Sequence, residues 1–134
     1  MPKIRHVAIC CDDPVAMSEF YKQTFDMHEV ARGGRAVYMS DGYLNLALLP
    51  AREGRKGINH FGFLVEDIEE IRKRLAMAEV PEPTDRPGDG RYAEWRAEDP
   101  EGNAFDLGVA GWYTEPGQGL APTRENANPG AATG

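Results

Sequence analysis

Two histidines, His6 and His60, are the residues whose type and spacing most directly indicate chemistry. Each begins a short apolar phrase that ends in an acidic residue, and one offset of 54 residues separates His6 from His60 and Asp13 from Asp67. Histidine is the commonest metal ligand among protein side chains. Equivalent positions in two copies of one unit meet when the copies pack face to face. The spacing therefore predicts a metal centre shared by two halves of a duplicated domain.

The first half contains the elements that would carry His6. An apolar run from Lys3 to Cys11 predicts a strand. Asp13 is a natural N-cap, and the proline after it suits the first helical position. Apolar side chains then recur at helical spacing up to Met27. Three more strands are predicted over residues 28–32, 36–40 and 43–49, divided by glycine-containing turns.

The second half repeats this series. A strand is predicted over 58–65, and Asp67 with Glu70 three residues later forms a capping-box signature at the start of an amphipathic helix. A loop over 80–90 and strands over 91–97 and 103–109 complete it. Both halves read βαβββ, and Asn45 and Asp106 fall at corresponding places in their last strands. Internal repetition of this kind decides the fold class, here α+β.

Composition restricts the partners of the chain. At 134 residues, of which 41% are apolar, it is expected to form one domain with a real core. The net charge of −7 argues against nucleic acid and against an anionic membrane surface. The two cysteines are adjacent and are interpreted as free. No signal peptide or apolar span is present in the sequence, so a cytoplasmic location is expected.

Three segments in this order resemble the vicinal oxygen chelate superfamily, the group of glyoxalases, bleomycin-resistance proteins and extradiol dioxygenases. They are Arg5-His-Val-Ala-Ile with Phe20-Tyr21 after it, Asn59-His-Phe-Gly-Phe, and Asp99-Pro-Glu-Gly-Asn-Ala-Phe-Asp-Leu. The resemblance covers residues 3 to about 110. It implies two βαβββ modules, 3–50 and 58–109, that form an open, incompletely closed β-barrel with a divalent metal in its cleft.

The resemblance also implies the ligands. The matching positions are His6, Asn45, His60 and Asp106. Asp106 stands where the family has Glu and is one methylene shorter, so the backbone must shift or the site is weak. Asn45 stands where glyoxalases of the group have Glu or Gln, and a short neutral amide is a poor ligand. We therefore expect His6, His60 and Asp106 to bind the ion (Fe, Mn, Zn or Ni), with Asn45 bonding to substrate or to a ligand.

Three aromatic residues on predicted strands complete the candidate substrate-binding set with Asn45: Tyr38, Tyr92 and Trp95. The resemblance implies a metal-dependent enzyme that chelates two vicinal oxygens of a small substrate, with lyase or isomerase chemistry first and ring-cleaving dioxygenase chemistry second. The lyase version lacks a base at position 45. The dioxygenase version has only His28 left as an acid–base histidine.

A metal-free small-molecule binder like the bleomycin-resistance proteins is the alternative of a different class. The acidic pI of about 4.9 and the aromatic residues fit it, but the paired histidines do not. On resemblance a homodimer is expected. The domain is expected to span residues 1–112, and residues 113–134, rich in Gly, Pro, Ala and Asn, are expected to form a flexible tail that packs little.

Overall fold

The first strand of each half lies at the centre of one sheet. A computed structural model describes residues 1–85 and 95–119. The strands of this described part are β1 (Lys3–Cys11), β2 (His28–Gly33), β3 (Ala36–Ser40), β4 (Asn45–Pro50), β5 (Gly57–Leu64), β6 (Thr84–Asp85), β7 (Trp95–Glu98) and β8 (Ala104–Gly108). They are ordered β2-β3-β4-β1-β5-β8-β7-β6. From the centre outwards, both halves therefore have the same strand order.

The pairing directions repeat as well. Strand β1 pairs in parallel with β4, β5 pairs in parallel with β8, and β1 and β5 pair antiparallel across the middle. The outer strands β2 and β6 do not pair with each other, so the sheet is not closed into a barrel. The predicted α+β fold of two βαβββ modules in an open arrangement is confirmed.

Both helices begin where the sequence predicts. Asp13 accepts a hydrogen bond from the Ala16 amide and caps α1 (Pro14–Phe25). Asp67 accepts hydrogen bonds from the amides of Glu69 and Glu70 and caps α2 (Ile68–Met77). A side-chain acceptor here satisfies amides that the first turn leaves without a partner. None of the helices in the described ranges is long and apolar enough to cross a membrane.

The helices cover one face of the sheet. Side chains alternate between faces along a strand, so residues two apart share a face. Under α1 lies a buried cluster of Cys11, Val37, Met39 and Leu48. Under α2 lies a second cluster of Val65, Trp95, Ala97, Phe105 and Leu107. Both cysteines are free, as interpreted from the sequence, and both are buried.

Several strand boundaries differ from the sequence prediction by a residue, and two differences are larger. Residues 84–85, predicted to lie in a loop, pair with Trp95 and Arg96; two residues are too few to show an alternating pattern. Strand β4 begins at Asn45 rather than residue 43, because the Asp41 carboxylate accepts hydrogen bonds from the amides of Tyr43 and Leu44. This local bonding keeps both amides in the turn and out of the sheet.

Residues 110–119, which we call the strap, lie on the other face of the sheet. From about Thr114 the expectation that the chain packs little stays a prediction: Thr114 itself is buried, but residues 115–117 are exposed. Trp112 and Thr114 are buried, and Tyr113 packs against the cluster of Ala8, Val30, Ala36, Tyr38 and Ala47. Large aromatic side chains supply the apolar area that a free tail lacks. The remainder of the expected tail, 120–134, lies outside the described residues.

Gly62→Ala is expected to destabilise the protein more than Gly108→Ala. A Cβ at Gly62 would lie 2.7 and 2.8 Å from two carbons of the Trp112 ring, whereas at Gly108 the nearest atom, also of Trp112, would be 3.6 Å away. Overpacking of this kind costs about 1–3 kcal/mol. Urea unfolding of both variants measures the difference, and the entropic effect of replacing glycine cancels between them. Equal losses would show that Trp112 does not fill the space beside Gly62.

Candidate metal centre

Three side chains with metal-binding atoms meet on the strap side of the sheet. The Nε2 atoms of His6 on β1 and His60 on β5 are 3.3 Å apart, and His60 Nε2 is 3.2 Å from Oδ2 of Asp106 on β8. The donor atoms of all three residues lie within 4.8 Å of one another. The side chains that the sequence assigned to the ion therefore come together across the central strands.

The separations fit a shared ion. Two donors that each lie about 2.0–2.2 Å from one ion, at angles between octahedral and tetrahedral values, are roughly 3.0–3.5 Å apart. The His6–His60 and His60–Asp106 distances of 3.3 Å and 3.2 Å fall in this range, and the donor atoms of His6 and Asp106 lie within 4.8 Å of each other. Two imidazoles and one carboxylate also form a recognised donor set, the facial triad of non-haem iron oxygenases. The donor set and its spacing thus both suit a divalent metal.

Asn45 orients the His6 ring. Its side-chain Nδ2 donates to the carbonyl oxygen of Tyr113 at 2.8 Å, so its Oδ1 is the atom 3.0 Å from His6 Nδ1. Because Oδ1 can only accept, His6 Nδ1 must carry the proton and donate it. His6 Nε2 then holds a lone pair. Ligating histidines commonly hydrogen-bond through their other ring nitrogen in this way.

His60 is held in a matching manner. Its Nδ1 lies 2.7 Å from Oδ1 of the neighbouring Asn59. With Nδ1 donating, the Nε2 lone pair of His60 faces that of His6 at 3.3 Å. Two lone pairs at this distance repel each other. A proton on one ring, or a metal ion bound to both, removes the repulsion, so the arrangement favours a cation between the rings.

Asp106 is buried and ionised. Arg96 on β7 donates from Nε to Asp106 Oδ1 at 2.7 Å, which leaves Oδ2 facing His60. Burial alone would raise the pKa of Asp106, but the interactions with His60 and Arg96 outweigh it and lower the pKa to about 2. The third donor is thus a carboxylate at any physiological pH.

His6 is neutral at physiological pH. Burial lowers its pKa, the neighbouring His60 lowers it further, and Asp106 and the Asn45 hydrogen bond oppose this only in part, so the pKa falls from 6.5 to about 4. Metal binding requires the deprotonated imidazole. The fold therefore keeps His6 deprotonated, which metal coordination requires. Asn45 selects the tautomer of His6 that leaves the lone pair on Nε2, where a metal can bind.

The sequence pattern of the Glyoxalase/Bleomycin resistance protein/Dioxygenase superfamily matches residues 3–107. The chain belongs to this superfamily. The resemblance seen in the sequence is thereby confirmed, and the match includes His6, His60 and Asp106. A comparison with curated proteins finds no match.

Solved structures share the superfamily fold at low identity. A hypothetical protein BH1468 from Bacillus halodurans C-125 is 16% identical, with a TM-score of 0.61 over 79% of this chain and 92% of that one. Streptomyces coelicolor methylmalonyl-CoA epimerase, in complex with 2-nitronate-propionyl-CoA, is 23% identical, with a TM-score of 0.52 over 78% and 92%. The 2,3-dioxygenase LapB from Pseudomonas sp. KL28 is 19% identical, with a TM-score of 0.61 over 88% and 46%.

Only some of the predicted substrate-binding residues come near the centre. Asn45 contacts His6 directly. Tyr38 lies on the strap side but is buried beside Ala8 and Ala47. Trp95 is buried on the opposite face, in the cluster beneath α2. Tyr92 lies outside the described residues.

Sequence reasoning missed two residues that contact the triad. Arg96 pairs in register with Asp106, and its signal was a charged residue between two apolar ones on a predicted strand. The Trp112 indole stacks on His6, with ring centroids 5.1 Å apart and planes 2° apart. The sequence signal for Trp112 was its residue type. A tryptophan at the end of the last module indicates packing, because a free tail has no use for so large an apolar side chain.

The two modules differ in register at the centre. Asn45 pairs with His6 itself, but Asp106 pairs with Gly62, two residues beyond His60. Asn45 and Asp106 are therefore not at the same level relative to their histidines, although they occupy similar places in the sequence. Asp106 reaches His60 from this position, with its Oδ2 3.2 Å from His60 Nε2.

The neutral, buried His6 makes stability depend on pH. Its pKa is about 4 in the folded chain, against 6.5 for a histidine in water, so between these values the unfolded chain binds a proton that the native chain does not. The free energy of unfolding should fall by about 3 kcal/mol as pH drops from 6.5 to 4. Urea unfolding with chelator present, compared with a His6→Gln variant, isolates this contribution. Parallel pH profiles of the two proteins would contradict it.

Proposed function

We propose that the chain binds one divalent metal ion through His6, His60 and Asp106 and is a metal-dependent enzyme acting on a small substrate through two neighbouring oxygens. The observation that supports this most strongly is the pair of Nε2 atoms 3.3 Å apart. Each belongs to a ring whose Nδ1 is engaged by an asparagine oxygen. This arrangement presents both lone pairs to one point beside a carboxylate.

The surrounding residues would tune such an ion through charge. Asp106 supplies the single negative charge of the donor set, and Arg96 bonds to the oxygen that does not face His60. A divalent ion would thus retain net positive charge, which favours substrate oxygens that are or become anionic. Lewis-acid stabilisation of that negative charge is the chemistry such an ion supplies when bound.

Asn45 bears on the choice of reaction. Both ends of its amide are engaged, by His6 and by the Tyr113 carbonyl, and an amide cannot act as a base. A lyase or isomerase that moves a proton needs a carboxylate or imidazole at this place. Three protein donors with further positions open are instead typical of Fe(II) oxygenases. We therefore rank dioxygenase chemistry ahead of the lyase or isomerase chemistry that the sequence favoured.

The metal-binding step is tested by calorimetry with Mn(II), Fe(II), Zn(II) and Ni(II). We expect His60→Ala to abolish binding, because it removes one of three donors, and Asn45→Ala to weaken it by about 10- to 100-fold, because it removes only an orienting partner. His28→Ala, which removes the one histidine outside the triad, is the matched control and should keep the parent affinity. If the parent binds none of these metals more tightly than millimolar, a metal-free binding protein becomes the better explanation.

The reaction type is tested on protein loaded with Fe(II) or Mn(II) without oxygen. A panel of vicinal diols, 2-hydroxy ketones and 2-oxo thioesters is then supplied with air. Oxygen uptake measured with an electrode is expected for at least one aromatic vicinal diol (a catechol), whose ring is cleaved with both oxygen atoms incorporated, and should be lost in Asp106→Asn. Uptake of solvent deuterium at the carbon beside a carbonyl, without oxygen uptake, would favour isomerase chemistry instead.

A further inference from the structure

The three donors are closed off from solvent. Exposure is 1% for His6, 7% for His60 and 0% for Asp106. The apolar pocket of about 280 Å³ lies elsewhere, between strand residues such as Phe61 and Phe105 and α2 residues such as Leu75. A substrate that must reach an ion held by these donors cannot do so while the cover stays in place.

Trp112 of the strap is the main cover. Its ring is 2% exposed, stacks flat on His6 and packs on Leu64. Two glycines make room for it, since a Cβ at Gly62 would clash with the ring and one at Gly108 would touch it. Its Nε1 is buried without an acceptor among the described residues. A buried donor in that state costs on the order of 1–3 kcal/mol, which weakens the closed position.

The strap is attached differently from the strands around the centre. It is not part of the hydrogen-bonded sheet. Separate contacts fasten it: Asn45 Nδ2 donates to the Tyr113 carbonyl at 2.8 Å, His28 Nε2 donates to the Thr114 carbonyl at 2.6 Å, and the Gly117 amide donates to the Val30 carbonyl at 3.3 Å. Single bonds of this kind can open without unfolding the sheet.

We propose that residues 110–119 form a movable strap that opens to admit ligands to the centre and closes over it, with Trp112 as the plug. Only the purpose of the opening, the admission of ligands to a metal, rests on the proposed metal centre. The opening itself is proposed for the metal-free chain. Asn45 links the two parts. Its amide bonds to the strap at one end and to His6 at the other, so closing the strap also holds His6 in its ligating tautomer.

The first test uses metal-free protein and two readouts. Hydrogen–deuterium exchange reports opening of the strap at the Thr114 and Gly117 amides, and the rate of diethyl pyrocarbonate modification reports exposure of His6 and His60. His28→Ala removes one fastening bond without touching the triad. Both rates should rise by the same factor, about three- to tenfold, while exchange in β1 and β5 stays unchanged.

Two further variants make this test decisive. Arg32→Ala, on the same strand as His28 and paired with Glu29 rather than the strap, is the control and should change neither rate. Gln118→Ala loosens the strap from within, because Gln118 Oε1 accepts hydrogen bonds from the amides of Thr114 and Glu115; it should act like His28→Ala. Faster exchange in the strap without faster modification of His6 would overturn the proposal, as would unchanged rates in both loosened variants.

The second test follows Mn(II) or Zn(II) capture by stopped flow. In His28→Ala, association and dissociation should both accelerate by the factor seen in exchange, and the affinity should stay within about twofold of the parent. Faster dissociation with unchanged association would mean that the strap contributes to binding and does not control access, which would overturn the proposal. Failure of every metal to bind would reject the proposed metal centre, and the metal-free experiment would still decide whether the strap opens.

Discussion

Burying a carboxylate costs several kcal/mol unless hydrogen bonds and opposite charge compensate it, and the centre of this sheet buries Asp106 completely. The surrounding structure meets that constraint in two ways. Arg96 crosses from the neighbouring strand to one carboxylate oxygen, and His60 faces the other. Because His60 also faces His6, a cation between these groups would offset both the charge of Asp106 and the repulsion between the two imidazole lone pairs.

Duplication explains how these groups meet, but the two modules are not copies in chemical terms. Each contributes a histidine from its first strand, and only the second contributes a charged donor from its last. The first module has Asn45 at the corresponding place, and it serves as a partner for His6 rather than as a donor. The strand register differs between the modules in the same way. Asn45 pairs with the histidine of its own module, His6, whereas Asp106 pairs with Gly62, two residues beyond His60.

The glycine at position 62 connects the centre with its cover. Any larger residue would occupy the space of the Trp112 ring, and that ring lies flat on His6. The indole shields a ligand-competent imidazole from water, which strengthens its electrostatic interactions. The same burial is the largest cause of the lowered pKa of His6. The cover of the centre and the protonation of its donors are therefore two effects of one packing arrangement.

Local patterns in the sequence were enough to determine the elements and their repetition. The N-caps at Asp13 and Asp67 and the apolar periodicity are short-range signals. The offset of 54 residues between the histidines is a repeat that the sequence itself shows, and the resemblance placed Asp106 with them. The contacts that complete the site are long-range. The partners in the His6–Asn45, Asn45–Tyr113 and His28–Thr114 hydrogen bonds are separated by 39, 68 and 86 residues.

Tertiary structure alone decided which further residues face the centre. Trp95 and Arg96 are neighbours, and a shift of one residue in strand register would exchange their faces. The pairing of Arg96 with Asp106 places the arginine on the metal side and the tryptophan beneath α2. Likewise, a tryptophan after the last module indicates packing, but only the tertiary structure decides where its ring lies. Trp112 becomes part of the site because Gly62 and Gly108, on two other strands, leave space for its ring.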